Sequence, residues 1–175
     1  MDSMLLRVFQ HQILLQCDFL LRATNDINSA LNNGDIDGAF YGIQNLLTAA
    51  ANISKALWGQ GGKLSAERRE LRDSLGIDDG SPLREVTMRN HFEHFDERLD
   101  RWWKESKAHN HNDRNLFPRA AITNFEDLDN FRNFDPGTTD LTFWGQDFNL
   151  QQLINEVHRI VPKLREEASK PHWVK

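Results

Sequence analysis

An arginine, an asparagine and a histidine lie within six consecutive residues of this chain, at Arg89, Asn90 and His94. Arginine keeps its positive charge at neutral pH and can hold a phosphate oxygen, whereas histidine titrates near neutral pH and can accept or donate a proton. Together these groups suffice to cleave a phosphodiester through a neighbouring hydroxyl group without a metal ion. The same residue types also occur on ordinary solvent-facing helices, so the elements that carry them must decide between the two interpretations.

The apolar pattern around this segment predicts one long helix from residue 83 to about residue 106. Ser81 is a suitable N-cap and Pro82 suits the first helical position, so the start of the helix is well marked. The expected core stripe steps by four and three residues through Met88, Phe92, Phe95, Leu99 and Trp102. Such a stripe indicates packing at a shallow angle against neighbouring helices.

The geometry of the predicted helix separates the arginine from the histidine. At about 100° per residue, Asn90 and His94 lie opposite the core stripe, and Arg89 lies on the flank of that face. Arg89 and His94 are then about 140° apart, too far to point at one atom from a single helix. A twofold dimer would bring two such faces together, so a functional motif predicts a homodimer with a shared cleft.

Two long helices are predicted before this one. The first starts near Ser3 and ends before Gly34, and the second starts after Asp35 as N-cap and ends at Gly59. A tight connection at Gly34 makes them an antiparallel hairpin. A shorter charged helix is predicted over residues 66–75, and together these elements form a core bundle over residues 3–106.

The C-terminal part has a different pattern. Residues 108–148 form an irregular segment rich in aromatic residues, in which Asp135-Pro136-Gly137 can close a small β-hairpin near residues 130–145. Helical spacing returns over residues 150–168, where Pro162 is expected to kink the helix. We therefore expect a single all-α domain over residues 1–175, an antiparallel bundle of four to five helices with this hairpin added.

Composition limits the class of protein. The chain has 175 residues, of which 39% are hydrophobic, and this suffices for one continuous core. A formal net charge of −5 argues against unspecific coating of nucleic acid, but leaves room for a local basic site. The single cysteine, Cys17, and the lack of a long apolar run predict a cytoplasmic protein without a disulfide or a membrane span.

The run Arg-Asn-x-x-x-His in the last long helix of a helical bundle resembles the signature of the HEPN superfamily. In that family an arginine, usually followed by a polar residue, precedes a histidine by four to six positions. The resemblance covers the helical part of the chain up to about Ser106. It implies a homodimeric helical bundle that acts as a metal-independent endoribonuclease, often as a toxin or in defence against phage, with RNA as substrate and an antitoxin protein as a further partner.

The resemblance also implies roles for individual residues. Arg89 would stabilise the charge that develops on the phosphate, and Asn90 would position groups in the cleft. His94 would move a proton to or from the ribose 2′-hydroxyl or the leaving oxygen. Arg84 and Arg101 are further candidates for phosphate contacts. No cofactor is expected, and no metal either, because His109, His111 and Asp113 form no recognisable ligand set.

Two features depart from the family pattern. Asp96 stands where some of these toxins carry a tyrosine that a partner modifies, and the acidic Glu93, Asp96 and Glu97 surround the motif. Two other interpretations therefore stay open. One is a non-catalytic HEPN-like module that binds a nucleotide or a protein partner. The other is a structural helical protein whose motif is a solvated face, with ion pairs from Arg89 to Glu93 and from Glu97 to Arg101.

Overall fold

The computed structural model describes residues 1–59, 61–121 and 125–174. Its seven α-helices are α1 (Ser3–Asn32), α2 (Ile36–Trp58), α3 (Gly62–Glu67), α4 (Arg69–Leu75), α5 (Thr87–Glu93), α6 (Phe95–Glu105) and α7 (Leu150–Ser169). Its three strands are β1 (Asn133–Asp135), β2 (Asp140–Phe143) and β3 (Gln146–Asn149). Short 3-10 helices span Pro82–Arg84, Arg119–Ala121 and Asp127–Asp129. The prediction of a mainly helical protein is confirmed.

Local sequence signals fix the α1–α2 hairpin. The Asp2 carboxylate accepts hydrogen bonds from the first turn of α1, and the Asp35 carboxylate accepts one from the Gly38 N–H at 2.9 Å. Between the two helices Gly34 adopts a φ of 67°, which favours glycine. The two helices pack along their length through their apolar faces, as expected for short-linked antiparallel neighbours.

Helix α7 completes the core by packing against α1. Asn149 caps its first turn, and the helix continues through Pro162 to Ser169. Pro162 therefore does not interrupt the helix. Proline lacks only one backbone donor, and the flanking Val161 and Leu164 are buried, so packing holds this helix together.

The aromatic segment contains a three-stranded antiparallel sheet in the order β1-β2-β3. Asp135 pairs with Asp140 across the turn that holds Pro136 and Gly137, which confirms the predicted hairpin. Strand β3 adds a second hairpin that the sequence analysis missed. Leu141 and Phe143 on β2 are fully buried, so the sheet covers one side of the helical core.

The predicted helix over residues 83–106 is wrong as a single element. The chain forms the 3-10 turn Pro82–Arg84, then α5, and then α6, with a break at His94, whose φ and ψ are −103° and 39°. Phe95 directly after the break is 57% exposed, so it does not belong to the core stripe as predicted. The predicted helix over residues 66–75 is likewise divided into α3 and α4 at Arg68.

A search for membrane-spanning helices among the described residues finds none that is both long and apolar enough. Cys17, the single cysteine, is free and buried on α1.

Candidate functional site

A cavity of about 350 Å³ lies between the C-terminal end of α2 and the start of α5. Lys55 and Trp58 line it from α2, Arg84 from the 3-10 turn, and Arg89 and Asn90 from α5. The turn at Pro82–Arg84 packs on α2, and this packing sets the first turn of α5 against the end of α2. The cavity thus brings Lys55 of α2 together with Arg84 and Arg89, which follow about 30 residues later in the sequence.

Arg89 is held firmly at the wall of this cavity. Its Nη1 donates to Asn90 Oδ1 at 2.9 Å and lies 2.6 Å from the Glu93 carboxylate, and its side chain is only 11% exposed. Its Nε is buried and has no hydrogen-bond partner within the described part of the chain. Arg89 therefore has one buried donor without a partner among the described residues, and Glu93 partly neutralises its charge.

His94 is placed elsewhere. It sits at the junction of α5 and α6, its side chain is 51% exposed, and its Nδ1 lies 3.5 Å from the Glu97 carboxylate. It does not line the cavity that contains Arg89 and Asn90. The structure thus brings Arg89 and Asn90 together within one chain and leaves His94 on the surface, in keeping with the angular separation expected from the helical wheel.

Of the two further arginines predicted to contact phosphate, one lines the cavity and the other does not. Arg84 lines the cavity, and its Nη1 lies 3.6 Å from the Asp79 carboxylate. Arg101 lies outside it, donates from Nε to Glu105 at 2.9 Å, and stacks its guanidinium over the Trp144 ring at 5.2 Å. The expected pair between Glu97 and Arg101 is therefore wrong. The expected pair between Arg89 and Glu93 is present.

An exposed carboxylate, that of Asp79, lies next to two of the residues that line the cavity. Trp58 Nε1 donates to Asp79 Oδ1 at 2.9 Å, and this hydrogen bond is the main reason that the pKa of Asp79 lies below its usual range. The nearby positive charges of Arg84 and Arg72 lower this pKa further. Asp79 thus remains ionised and competes with any anion for Arg84.

His91, which the sequence analysis passed over, is the buried histidine of the motif. Its ring stacks on Phe143 with centroids 4.6 Å apart, Nδ1 accepts a hydrogen bond from Arg98 Nε at 3.1 Å, and Nε2 lies 3.0 Å from Gln146 Oε1. Because Nδ1 accepts, Nε2 carries the proton and donates to Gln146. Burial lowers the pKa of His91, and the Arg98 charge acts in the same direction.

The position of His91 on the core side of α5 was readable from spacing. It lies three residues after Met88 and next to Phe92, both buried, so helical periodicity places it on the core side. Its role is to fasten α5 and α6 to the sheet, since its partners lie on α6, β2 and β3. It therefore supports the helix that carries Arg89 and Asn90 without facing their cavity.

The described residues contain no group of three or more His, Cys, Asp or Glu side chains arranged to hold a metal ion. His111 instead packs on Phe131, and Asp113 binds Arg132, so the loop histidines and Asp113 serve the aromatic cluster. The chain matches no protein-family model, no curated protein and no solved structure.

Proposed function

We propose that this protein is a homodimeric, metal-independent endoribonuclease of the HEPN type. The observation that carries the proposal is the cavity that holds Lys55, Arg84, Arg89 and Asn90. Arg89, the residue to which the resemblance assigns the phosphate contact, is one of the residues that line it. A phosphodiester in this cavity would be held by fixed cations and one amide, the groups that stabilise charge developing on phosphate oxygens.

The chemistry follows from the attack of a ribose 2′-hydroxyl on the adjacent phosphorus. His94 would take the hydroxyl proton as the new oxygen–phosphorus bond forms. Protonated His94 would then give a proton to the leaving 5′-oxygen as its bond to phosphorus breaks. The products are a 2′,3′-cyclic phosphate and a free 5′-hydroxyl. Arg89 would hold the equatorial oxygens, whose charge grows in the transition state.

A second protomer is part of this proposal. Within one chain His94 lies outside the cavity of Arg89, so His94 of a partner would have to complete the site. A toxin or phage-defence role, restrained by an antitoxin protein, belongs to the same proposal and rests on the resemblance. Growth arrest on expression, relieved by His94→Ala and by Arg89→Ala, would support that role.

A second candidate function is a non-catalytic module that binds a nucleotide. The ion pair between Arg89 and Glu93 and the exposed position of His94 favour it, because both describe a chain without an assembled catalytic site. Three basic residues at one cavity suit a phosphate group. This function needs the cavity alone.

Two assays on the purified full chain separate these functions. Cleavage of single-stranded RNA is followed in EDTA, with product ends analysed for cyclic phosphate. Binding is followed by fluorescence anisotropy of the same RNA with 2′-deoxy substitutions, which cannot be cleaved by this route. For the ribonuclease, His94→Ala lowers the cleavage rate about 100-fold or more and leaves binding within about twofold of wild type, whereas Arg89→Ala weakens both.

His158→Ala is the matched control, because His158 is an exposed histidine on α7, far from the motif in sequence. It should leave cleavage and binding unchanged. Binding that depends on Arg89, without cleavage at any ionic strength, would establish the nucleotide-binding module instead. If wild-type protein neither cleaves nor binds RNA or nucleotides, both functions are wrong.

A further inference from the structure

Helix α1 carries a stripe of apolar side chains on its outer face. Met4, Val8, Leu15 and Phe19 are between 42% and 62% exposed. The buried face of the same helix includes Leu6, Ile13, Cys17 and Leu20, which lie roughly opposite on a helical wheel. This stripe therefore contributes nothing to the core of its own chain, and we call it the α1 stripe.

The spacing of the α1 stripe is symmetric. Its residues follow one another at intervals of four, seven and four, so the set maps onto itself when the helix direction is reversed about a point between His11 and Gln12. From Met4 to Phe19 it extends about 22 Å along the helix. A twofold interface places the same patch on both partners, and a palindromic stripe on a helix is suited to that symmetry.

We propose that a second copy of this chain packs its α1 antiparallel against the α1 stripe, on a twofold axis between His11 and Gln12. Met4 then meets the partner's Phe19, and Val8 meets the partner's Leu15. His11 and Gln12 meet at the axis, where a ring nitrogen and an amide can form hydrogen bonds. This inference rests on the homodimer of the proposed function and names its surface, but the contact itself needs no RNA chemistry.

The available area agrees with a stable dimer. From their exposed fractions, the four stripe residues and the neighbouring Leu5 each present roughly 100 Å² to solvent, about 500 Å² in all. This is more than half of the roughly 800 Å² that each partner buries in a specific interface, and Tyr41 on α2, which is 69% exposed, adds to it. The largest apolar patch on a monomer measures roughly 300–600 Å² and is often functional.

The charges around the stripe favour a protein partner over a lipid surface. A helix that lies on a membrane normally has many lysines and arginines along its polar face. The solvent-facing side of α1 instead carries Asp18, Arg22 and Asp26, so both signs of charge are present. Mixed charges of this kind are typical of the rim of a protein interface.

The α1 stripe also leads toward the candidate site. A groove of about 390 Å³ between α1 and α2 is lined by Phe19, Tyr41 and Asn52, among others. Lys55, less than one turn further along α2 than Asn52, already lines the Arg89 cavity. The groove beside the α1 stripe thus reaches within one turn of a residue of that cavity, whereas the motif alone predicted an interface on the face of Asn90 and His94.

Charge substitutions test the proposed pairing, with the mass of the wild-type and variant proteins measured by sedimentation velocity. Val8→Lys or Leu15→Glu alone should weaken the dimer about 100-fold or more, since each buries an unpaired charge. The double variant with Val8→Lys and Leu15→Glu should recover the dimer, because each lysine then faces a glutamate of the partner. Gln151→Glu, an exposed change on α7, is the matched control.

Cysteine cross-linking tests the antiparallel direction. A mixture of Val8→Cys and Leu15→Cys proteins should form disulfide-linked dimers, whereas each protein alone should not, because equivalent residues lie about 10 Å apart along the axis. The native Cys17 does not interfere, since burial raises the pKa of its thiol to about 12. Circular dichroism checks that every variant stays folded.

Several results would overturn the inference. A monomeric wild-type protein at high micromolar concentration would do so, whether or not the stripe binds another protein or lipid vesicles. So would a dimer that tolerates both single charge variants, since it would use another surface. Cross-linking of Val8→Cys with itself would refute the antiparallel direction. None of these results depends on whether the protein cleaves RNA, which the cleavage assay decides separately.

Discussion

Replacing His91 with phenylalanine tests how the motif helix is held in place. The new ring can keep the stacking on Phe143, but it loses the hydrogen bonds with Arg98 and Gln146. Each hydrogen bond contributes on the order of 1 kcal/mol, and the charged bond from Arg98 at most a little more because Arg98 is partly exposed and keeps its contact with Glu97. We expect His91→Phe to lower the free energy of unfolding by about 2 kcal/mol at neutral pH.

The pH dependence of this loss is the sharper part of the prediction. Burial holds the pKa of His91 in the folded protein below that of an unfolded chain, so the unfolded state binds a proton first as the pH falls. The stabilisation from neutral His91 is therefore complete above about pH 6.5 and is lost progressively below it. Protonated Nδ1 can no longer accept from Arg98. The difference in stability between wild type and His91→Phe should accordingly shrink as the pH is lowered.

Urea unfolding followed by circular dichroism, at about pH 7.5 and pH 5.5, measures this difference. His158→Gln serves as the control, because it removes an exposed histidine from α7 and should leave the stability unchanged. A gap between wild type and His91→Phe that stays constant or widens at the lower pH would refute the lowered pKa of His91 and the role of burial.

Three other substitutions test the packing that supports the site. Gly42→Ala should lower the melting temperature measured by scanning calorimetry, since the added Cβ would lie 2.7 Å from the side chain and 3.2 Å from the backbone nitrogen of Ile27. The overpacking costs about 1 to 3 kcal/mol, which exceeds the gain in helix propensity. An unchanged melting temperature would contradict this prediction. Arg72→Leu should lower the free energy of unfolding in urea by about 2 to 3 kcal/mol. The buried Arg72 guanidinium donates to two backbone carbonyls at 2.8 and 2.9 Å, and the variant loses both hydrogen bonds. Unchanged stability would show that these contacts contribute nothing. Asp129→Ala should lower the free energy of unfolding in urea by about 2 to 4 kcal/mol. It should also shift the tryptophan emission, because the fully buried Asp129 carboxylate accepts a hydrogen bond from Trp102 Nε1 at 2.9 Å. An unshifted spectrum would place Trp102 elsewhere.

Elements defined by local signals were predictable from the sequence. Caps at Asp2 and Asp35, the glycine turn at Gly34 and uninterrupted periodicity determine α1 and α2. Strong periodicity also revealed α7, which continues through Pro162 without interruption. The hairpin of β1 and β2 was visible from its turn residues, whereas β3 has too few apolar residues to stand out.

The break at His94 could not be predicted, because it contains neither proline nor glycine. Its cause is tertiary: His91 on α5 must reach the sheet, while Trp102 on α6 must reach Asp129. A straight helix would direct Phe95 into the core, and the bend turns it outward.

The residue types of the candidate site, in contrast to the break, were visible from the sequence. Their environment was not, since the cavity forms only where the end of α2 approaches α5.

In the proposed ribonuclease, phosphate binding and proton transfer depend on the dimer in different ways. In a single chain Arg89 is paired with Glu93, so a phosphate must compete with a carboxylate already at 2.6 Å. The competition with Glu93 weakens phosphate binding, but binding can still take place within one chain. Proton transfer requires a second chain, because His94 lies outside the cavity of its own chain. A monomer produced by Val8→Lys should therefore still bind uncleavable RNA and lose cleavage, and the charge-paired double variant should regain both the dimer and the activity. If the monomer cleaves as fast as the dimer, the partner supplies no proton-transfer group, and the proposed division of roles between the two chains fails even though the α1 interface stands.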